Sequence, residues 1–407
     1  MIYFDNAATS FPKPETVYRA MENFMKNIGG NPGRSGHRLS IESAKIIYQA
    51  RKNLAKLFKV KDSSRIIFTA NATEALNLGI KGLLEPGDEV ITSAFEHNSV
   101  MRPLRTLEKE VKVKVKVIPP SKSETVDLEK LEENITKHTK LIISIHASNV
   151  TGDLMPIEKI GKIAKKHNVY FMVDAAQTAG ALPLYPEKIG IDLLAFTGHK
   201  ALFGPQGTGG LYIKERVELK PLKQGGTGSN SEFEEQPDFL PDKYESGTPN
   251  TVGIAGLGAG VKFILEEGIE KIKKRKKELT EYLLTKLETI KGIKIYGNKN
   301  LPAHRSFSEG GENKTSIVSF NIKNLSSSKI SQILSEKHDI MTRPGLHCAP
   351  AAHKTLGTFP EGTLRISLSY FNTEQEINQL VKTLKNFQIE RCKQIKTDSD
   401  RYLFASI

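Results

Sequence analysis

The chain has 407 residues, enough for two or three domains and a core that needs no disulfide or metal to hold it. Hydrophobic residues make up 38% and charged residues 26%, a balance that excludes wholesale disorder and a fibrous repeat. Its 2 cysteines, Cys348 and Cys392, exclude a disulfide framework and a four-cysteine zinc site.

Basic residues outnumber acidic ones 59 to 46, a net charge of +13, but the excess is diffuse. Lys112, Lys114 and Lys116 alternate with valines, as on the solvent face of a strand, and Lys271–Lys277 lies inside a helical pattern. Aromatics are 7% and tryptophan is absent, so platforms for stacking bases are poorly supplied and nucleic acid is not an expected partner. No run of eighteen apolar residues exists, and no basic stretch leads into an apolar one at the N-terminus. These features predict a cytoplasmic protein with reduced thiols and no membrane partner.

In chain order, Arg65–Thr69 is a short β-rich run, followed by a helix over Thr73–Leu84. Glu85-Pro86-Gly87-Asp88 is a turn by composition; Glu89–Ala94 and the alternating Val111–Ile118 are strands. A helix over Asp127–Ile135 precedes the apolar strand Leu141–His146, and a helix over Pro156–His167 precedes the strand Val169–Asp174. Strands Asp192–Thr197 and Gly210–Ile213 follow, then a loop over Gly225–Asn250 and a long helical region, Gly253–Lys291, interrupted or bent near Gly268. Near-continuous apolar strands separated by helices predict a mostly parallel sheet covered on both faces. After Gly292 the pattern changes to strands Ile293–Tyr296, Thr315–Ile322 and Thr363–Ser369 with helices Ser327–His338 and Thr373–Phe387, a smaller α+β domain. The expected division is an N-terminal segment 1–13, a large domain 14–255, a linking helix 256–284, a small domain 285–387 and a tail 388–407.

Several chemistry-bearing residues fall just past the carboxyl ends of strands, where open α/β sheets bind ligands. Lys200, in Thr197-Gly198-His199-Lys200, follows one apolar strand, and a solvated loop lysine is the ordinary alternative. Asp174 ends another, and is either an N-cap or a carboxylate facing a protonated ring nitrogen. Asn71-Ala72-Thr73-Glu74 has capping-box spacing, and its helix N-terminus also suits a phosphate. His97 lies after a third strand and could lie flat on an aromatic cofactor. Gly256-Leu257-Gly258-Ala259-Gly260 does not follow a strand directly and reads as close helix packing rather than a dinucleotide loop. Cys348 sits in a Gly- and Pro-punctuated loop with Arg343, His347 and His353, a setting for a reactive thiolate with too few ligands for a metal. Arg365, inside an apolar strand, needs an anion: a structural carboxylate or a substrate carboxylate.

Taken together, these motifs resemble the cysteine desulfurases of the class V aminotransferase branch of pyridoxal-phosphate enzymes, from Tyr3-Phe4-Asp5-Asn6-Ala7-Ala8 to about Phe387. The resemblance implies fold type I, with a mostly parallel seven-stranded sheet in the large domain and a small α+β domain. It implies pyridoxal 5'-phosphate held by Lys200 as a Schiff base, Asp174 on the ring nitrogen, Gln177 on the ring hydroxyl and His97 stacked on the ring. Thr73, Ala72, Thr197 and His199 would bind the phosphate, and Thr248 would reach the phosphate of a neighbouring subunit in a homodimer. Asn149 and Arg365 would hold the substrate carboxylate, with Arg343 and His37 bordering the same pocket. Cys348, in a short Arg-x-Gly-x-His-Cys-Ala loop like that of the second, Suf-like group, would take sulfur from L-cysteine as a persulfide, leaving alanine. A sulfur-acceptor protein or small thiol would then discharge it, with iron–sulfur assembly as the destination the family suggests. Ala72, the tract Asn98–Leu104 and the tract Cys348–His353 depart from the usual Suf-like pattern and match a less characterised sub-branch. The rivals are a selenocysteine lyase, another β-lyase or an aminotransferase of the same fold, and a non-catalytic sulfur-carrier scaffold. An aminotransferase needs no nucleophilic thiol, and a scaffold would not need Lys200 and Asp174.

Overall fold

A computed structural model describes residues 1–33, 36–122, 124–297 and 314–387. The expected tail 388–407, with Cys392, lies outside the described residues, as do Arg34 and Ser35.

The elements follow in this order: β1 (Ile2–Tyr3), α1 (Glu15–Asn23), α2 (Arg38–Phe58), β2 (Ile66–Thr69), α3 (Ala72–Leu83), β3 (Glu89–Ser93), α4 (Asn98–Glu110) and β4 (Lys114–Ile118). Next come α5 (Leu128–Glu133), β5 (Thr139–Ile145), α6 (Ile157–Lys166), β6 (Tyr170–Asp174), α7 (Pro186–Ile189), β7 (Leu193–Thr197), β8 (Gly209–Ile213), α8 (Thr251–Glu267) and α9 (Ile269–Glu288). The last are β9 (Ile293–Tyr296), β10 (Ile317–Ile322), α10 (Ser327–His338), β11 (Ile340–Met341), β12 (Arg343–Gly345), α11 (Pro350–Leu356), β13 (Thr363–Ser367) and a helix α12 over 374–387.

A sheet of 7 strands runs in the order β2-β8-β7-β6-β5-β3-β4. The pairs from β7 to β4 are parallel, while β8 is antiparallel to both its neighbours. β2 therefore points the same way as β7, and the carboxyl ends of β2, β3, β5, β6 and β7 share one edge. Short of the end of β5, the strands alternate between two cores. Ile66, Ile91, Ile142, Phe171, Val173, Leu194 and Phe196 face one side, and Ile67, Val90, Leu141, Ile143, Met172, Leu193 and Ala195 the other. That is the period-two geometry of a strand, hidden in the sequence because both faces are apolar.

The smaller sheet, β12-β13-β10-β9, is antiparallel and covers a third core with α9, α10 and α12. β1 pairs in parallel with β11, so the N-terminal segment is stitched to this smaller unit.

Several boundaries differ from the sequence reading. α1, α2 and α4 carry no strand-helix punctuation that singled them out. The lysine face of β4 is only partly solvent: Lys116 is bonded to buried Glu89 at 2.7 Å, Val117 is 37% exposed, and Val111 and Lys112 precede the strand. β4 is an edge strand, so neither of its faces is fully covered.

The long helical region is two helices broken at Gly268, whose φ of 86° and ψ of 123° end one and start the other. α8 packs on α1 and α2, and α9 spans both units: Ile272 belongs to the large-sheet core while Leu279, Leu283 and Leu287 belong to the third. The glycine-rich run lies inside α8. A Cβ on Gly258 would stand 3.0 Å from that of Ala50 in α2, and one on Gly260 only 2.4 Å from the Leu202 carbonyl oxygen. Because the blocking atom at Gly260 is backbone, Gly260→Ala is expected to cost about 3 kcal/mol by overpacking. A lowered urea midpoint with unchanged slope would show this; an unchanged midpoint would mean that the helix shifts freely.

Candidate active site

The shared carboxyl edge of the large sheet and the β12–α11 loop enclose a cavity of ≈ 260 Å³. Lys200, Cys348, His97, Asp174, Gln177, Thr73, Ala72, Thr197, His199, Asn149, Arg365 and Arg343 all line it. Thr248 and His37 do not. Thr248 lines a separate cleft beside Glu245 and Asn250, and His37 caps α2 by accepting a hydrogen bond from the Ser40 amide at Nδ1.

At one end, β2 runs into α3. Asn71 caps the helix by accepting the Glu74 amide at 2.9 Å, but Glu74 reaches back to the Ala70 amide rather than to its own cap. The first-turn amides of Ala72 and Thr73 have no intrahelical acceptor and point along the positive end of the helix dipole. In the same cavity the Thr197 hydroxyl and His199 Nδ1 are buried and lack a hydrogen-bond partner. Buried polar atoms are seldom left unpaired, so orphans converging on a helix N-terminus mark a place built for an anion. Burial, reinforced by Lys200 and Lys13, lowers the His199 pKa to about 4, leaving the ring neutral.

His97 is the N-cap of α4. Its Nδ1 accepts the Ser99 amide at 3.0 Å, which places the proton on Nε2. Burial, with Lys200 and Arg102 nearby, lowers its pKa to about 4, so a neutral ring is presented to the cavity. Ser99, which sequence reasoning missed, joins two predicted residues through its hydroxyl: 2.9 Å from His97 Nδ1 and 2.8 Å from the Thr73 hydroxyl.

Asp174 is 2% exposed and accepts the Ala176 amide at 2.9 Å. It caps no helix; the next residues form a turn. Burial raises its pKa, and only the Ala176 amide and the Lys200 charge oppose that shift. Such a carboxylate suits a cation supplied by a ligand. Gln177 donates to the Ala7 carbonyl at 3.1 Å. Burial lowers the Lys200 pKa to about 8, within reach of the neutral, nucleophilic amine.

Arg365 has both a structural partner and spare donors. Nη1 donates to the Asn149 carbonyl at 2.9 Å and Nη2 to Asp5 at 2.8 Å, while buried Nε has no partner. Asn149 donates to the His347 carbonyl at 2.6 Å and keeps a buried, unpartnered Oδ1. Two orphan atoms of opposite hydrogen-bonding sense thus belong to residues lining the same cavity.

Cys348 is exposed between buried His347 and Ala349. His347 and Cys348 have φ of 52° and 57°, consecutive left-handed residues that cost strain and hold only if their surroundings over-determine them. Those surroundings are visible. The Asn98 amide donates to the Cys348 carbonyl at 2.8 Å. His347 Nε2 donates to the Arg343 carbonyl at 3.0 Å, and its Nδ1 meets His353 Nε2 at 3.3 Å. His353 is in turn 2.7 Å from the Thr358 hydroxyl. Burial holds these rings near pKa 3 and 4, so the chain is neutral and the histidines buttress the thiol loop.

Residues 2–380 match the family model for class-V aminotransferases. The chain is 35% identical over 391 residues to a probable cysteine desulfurase of Methanothermobacter thermautotrophicus, covering 94% of both, and 35% identical over 406 residues to one of Pyrococcus abyssi, covering 95% of this chain and 96% of the relative. Among solved structures it is similar to the apo cysteine desulfurase of Thermococcus onnurineus NA1, with a TM-score of 0.85, 33% identity, and 95% of this chain and 94% of that one covered. It is also similar to the Escherichia coli cysteine desulfurase CsdA, with a TM-score of 0.82, 27% identity, and 97% and 94% covered.

Proposed function

The chain belongs to the class-V aminotransferase family and, within it, to the cysteine desulfurases, and from that membership we propose that Cys348 receives the sulfur of L-cysteine as a persulfide while Lys200 moves the proton at Cα. The activity of the protein is pyridoxal-phosphate-dependent transfer of sulfur from cysteine. The single observation that carries the residue assignment is the presence in one cavity of a partly buried lysine with lowered pKa and an exposed cysteine on a rigidly held loop.

The residues present fit the family's cofactor. Orphaned Thr197 and His199 and the α3 amides suit a phosphate, buried Asp174 suits a protonated ring nitrogen, and Lys200 suits an aldehyde. When bound, the cofactor supplies a sink for the electron pair left at Cα on proton removal. Thr73, Ala72, Thr197 and His199 hold the phosphate, His97 offers its neutral face to the ring, and Gln177 reaches the ring hydroxyl. Asp174 keeps the ring nitrogen protonated. Arg365 holds the substrate carboxylate through Nε, the donor that otherwise lacks a partner, and Asn149 through the second hydrogen of Nδ2, since its free Oδ1 can only accept. Lys200 would attach the cofactor through its amine and, once free, would take the Cα proton; its pKa near 8 suits a base at neutral pH. The Cys348 thiolate attacks the substrate sulfur; the carbon–sulfur bond breaks, the new sulfur–sulfur bond forms on Cys348, and the protonated carbon product is alanine.

The exposed Cys348 sulfur is reachable by a small thiol or an acceptor protein. Tyr18, Met25, Ile41 and Tyr48 on and around α1 and α2 are 44%, 61%, 46% and 56% exposed, apolar surface that a second copy would cover. Their exposure, and the position of Thr248 outside the cavity, support a homodimer in which Thr248 serves the neighbouring site. Among the described residues no helix is long and apolar enough to cross a membrane.

The direct test is mass spectrometry of the holoenzyme after L-cysteine without reductant. The peptide carrying Cys348 is expected to gain one sulfur as alanine accumulates in equal amount. Alanine without that gain would remove Cys348 from the reaction, and pyruvate in its place would point to a β-lyase.

A further inference from the structure

The two arginines at the mouth of the cavity come from directly opposed positions of one antiparallel pair, Arg343 in β12 and Arg365 in β13. Directly opposed residues project from the same face of a sheet, and like charges so placed repel. The N-terminal segment resolves this conflict. Asp5 Oδ1 is 2.8 Å from Arg365 Nη2, and its Oδ2 is 3.7 Å from Arg343 Nη1. The placement is rigid, because the backbone is tied on both sides of Asp5. The Phe4 amide donates to the Met341 carbonyl at 2.9 Å, the Ser367 amide to the Phe4 carbonyl at 2.7 Å, and the Asn6 amide to the Ser367 carbonyl at 3.4 Å. The Asp5 side chain is 16% exposed and that of Arg365 4%, so solvent screens their attraction only weakly.

We infer that Asp5 sets substrate specificity. By pairing with both guanidinium groups it cancels one of their two positive charges, so that the cavity takes amino acids bearing a single carboxylate and disfavours those with a second anion on the side chain. The inference rests on the reading that Arg365 holds the substrate carboxylate. Asp5 does not line the cavity, and it acts through the arginines rather than by touching substrate. The charge left over, one unit, matches the one carboxylate of cysteine and alanine. Arg343, 46% exposed, is the arginine a side-chain anion would reach if Asp5 did not occupy it.

Calorimetric binding to the holoenzyme tests this without turnover, with L-alanine as the monocarboxylate probe and L-aspartate as the dicarboxylate probe. Asp5→Asn is expected to improve L-aspartate binding relative to L-alanine about tenfold, the effect of one unit charge at close range. Adding Arg343→Gln to Asp5→Asn restores the original charge and is expected to restore the original ratio, a rescue that a scaffold role for Asp5 would not produce. An unchanged ratio in Asp5→Asn, or equal weakening of both probes, overturns the inference. Should Asp5→Asn fail to fold, Arg343→Gln alone reads the same balance from the other side: the ratio is expected to move further against L-aspartate, and an unmoved ratio overturns the inference. Arg365→Leu separates the premise from the inference. If L-alanine binding is lost in that variant but the ratio ignores Asp5, only the specificity role falls; if L-alanine binding survives, the carboxylate reading falls and the inference with it.

Discussion

Lys200→Ala is expected to fold, to lose covalent attachment of the cofactor, and to release alanine from L-cysteine at least about 10⁴-fold more slowly than the parent protein. Among the described residues Lys200 is the one lysine lining the cavity, so no second amine among them stands ready to take its place. It lies at the end of the most buried part of the sheet; burial opposes its charge, Asp174 is the foremost group that favours it, and Asp174, whose own pKa burial already raises, can take up a proton when that charge is removed. The loss should therefore be chemical rather than structural, and unfolding midpoints should stay close to those of the parent.

The same residue sets a pH signature. Only the neutral amine attacks an aldehyde. With a pKa near 8, about a tenth of Lys200 is neutral at pH 7, half at pH 8 and most at pH 9. Reloading of apo protein with pyridoxal phosphate should therefore rise about fivefold between pH 7 and 8 and level off above about pH 9. A rate that keeps climbing tenfold per unit to pH 10 would show an ordinary, solvated lysine. The absorption band of the attached cofactor reads both experiments.

Cys348→Ser is expected to keep the fold and the cofactor absorption and to lose alanine release by about 10³-fold or more. The change is nearly isosteric, at an exposed position, and the left-handed backbone of the loop is as strained for serine as for cysteine. What changes is the nucleophile: a thiolate attacks sulfur readily, and an alkoxide is not available at neutral pH. The cavity keeps Lys200, Asp174 and Arg365, so substrate should still bind and perturb the absorption band. A variant that keeps more than about a tenth of the parent rate would remove Cys348 from sulfur transfer and favour direct release of the sulfur. Together the two variants separate the amine step from the sulfur step, since one abolishes the absorption band and the other leaves it.

Much of this site was legible in the chain because its parts are local. A buried parallel strand announces itself as an apolar run, and the residue after it must lie at a carboxyl edge. That logic located Lys200 after β7, Asp174 at the end of β6, His97 after β3 and Asn71-Ala72-Thr73 after β2. The glycine run in α8 was separable from a nucleotide loop on the same ground, since no strand precedes it. The helices α1, α2 and α4 were not singled out. α1 is only 9 residues long, α2 exposes Ile41 and Tyr48 as well as burying its inner face, which blurs its amphipathic pattern, and α4 carries Pro103 inside it.

The sequence by itself determined the strands of the large sheet, that they are mostly parallel, and which side chains stand at their carboxyl edge, because backbone periodicity and strand ends are short-range properties. Only the tertiary structure decided how those side chains are partnered. Asp5 meets Arg365 across 360 positions, Asn149 meets the His347 carbonyl across 198, and Ser99 meets Thr73 across 26. No periodicity spans such separations. These contacts arise when the β1–β11 pairing and the docking of the small sheet carry distant segments to one edge, where burial makes each polar group find a partner or wait for a ligand.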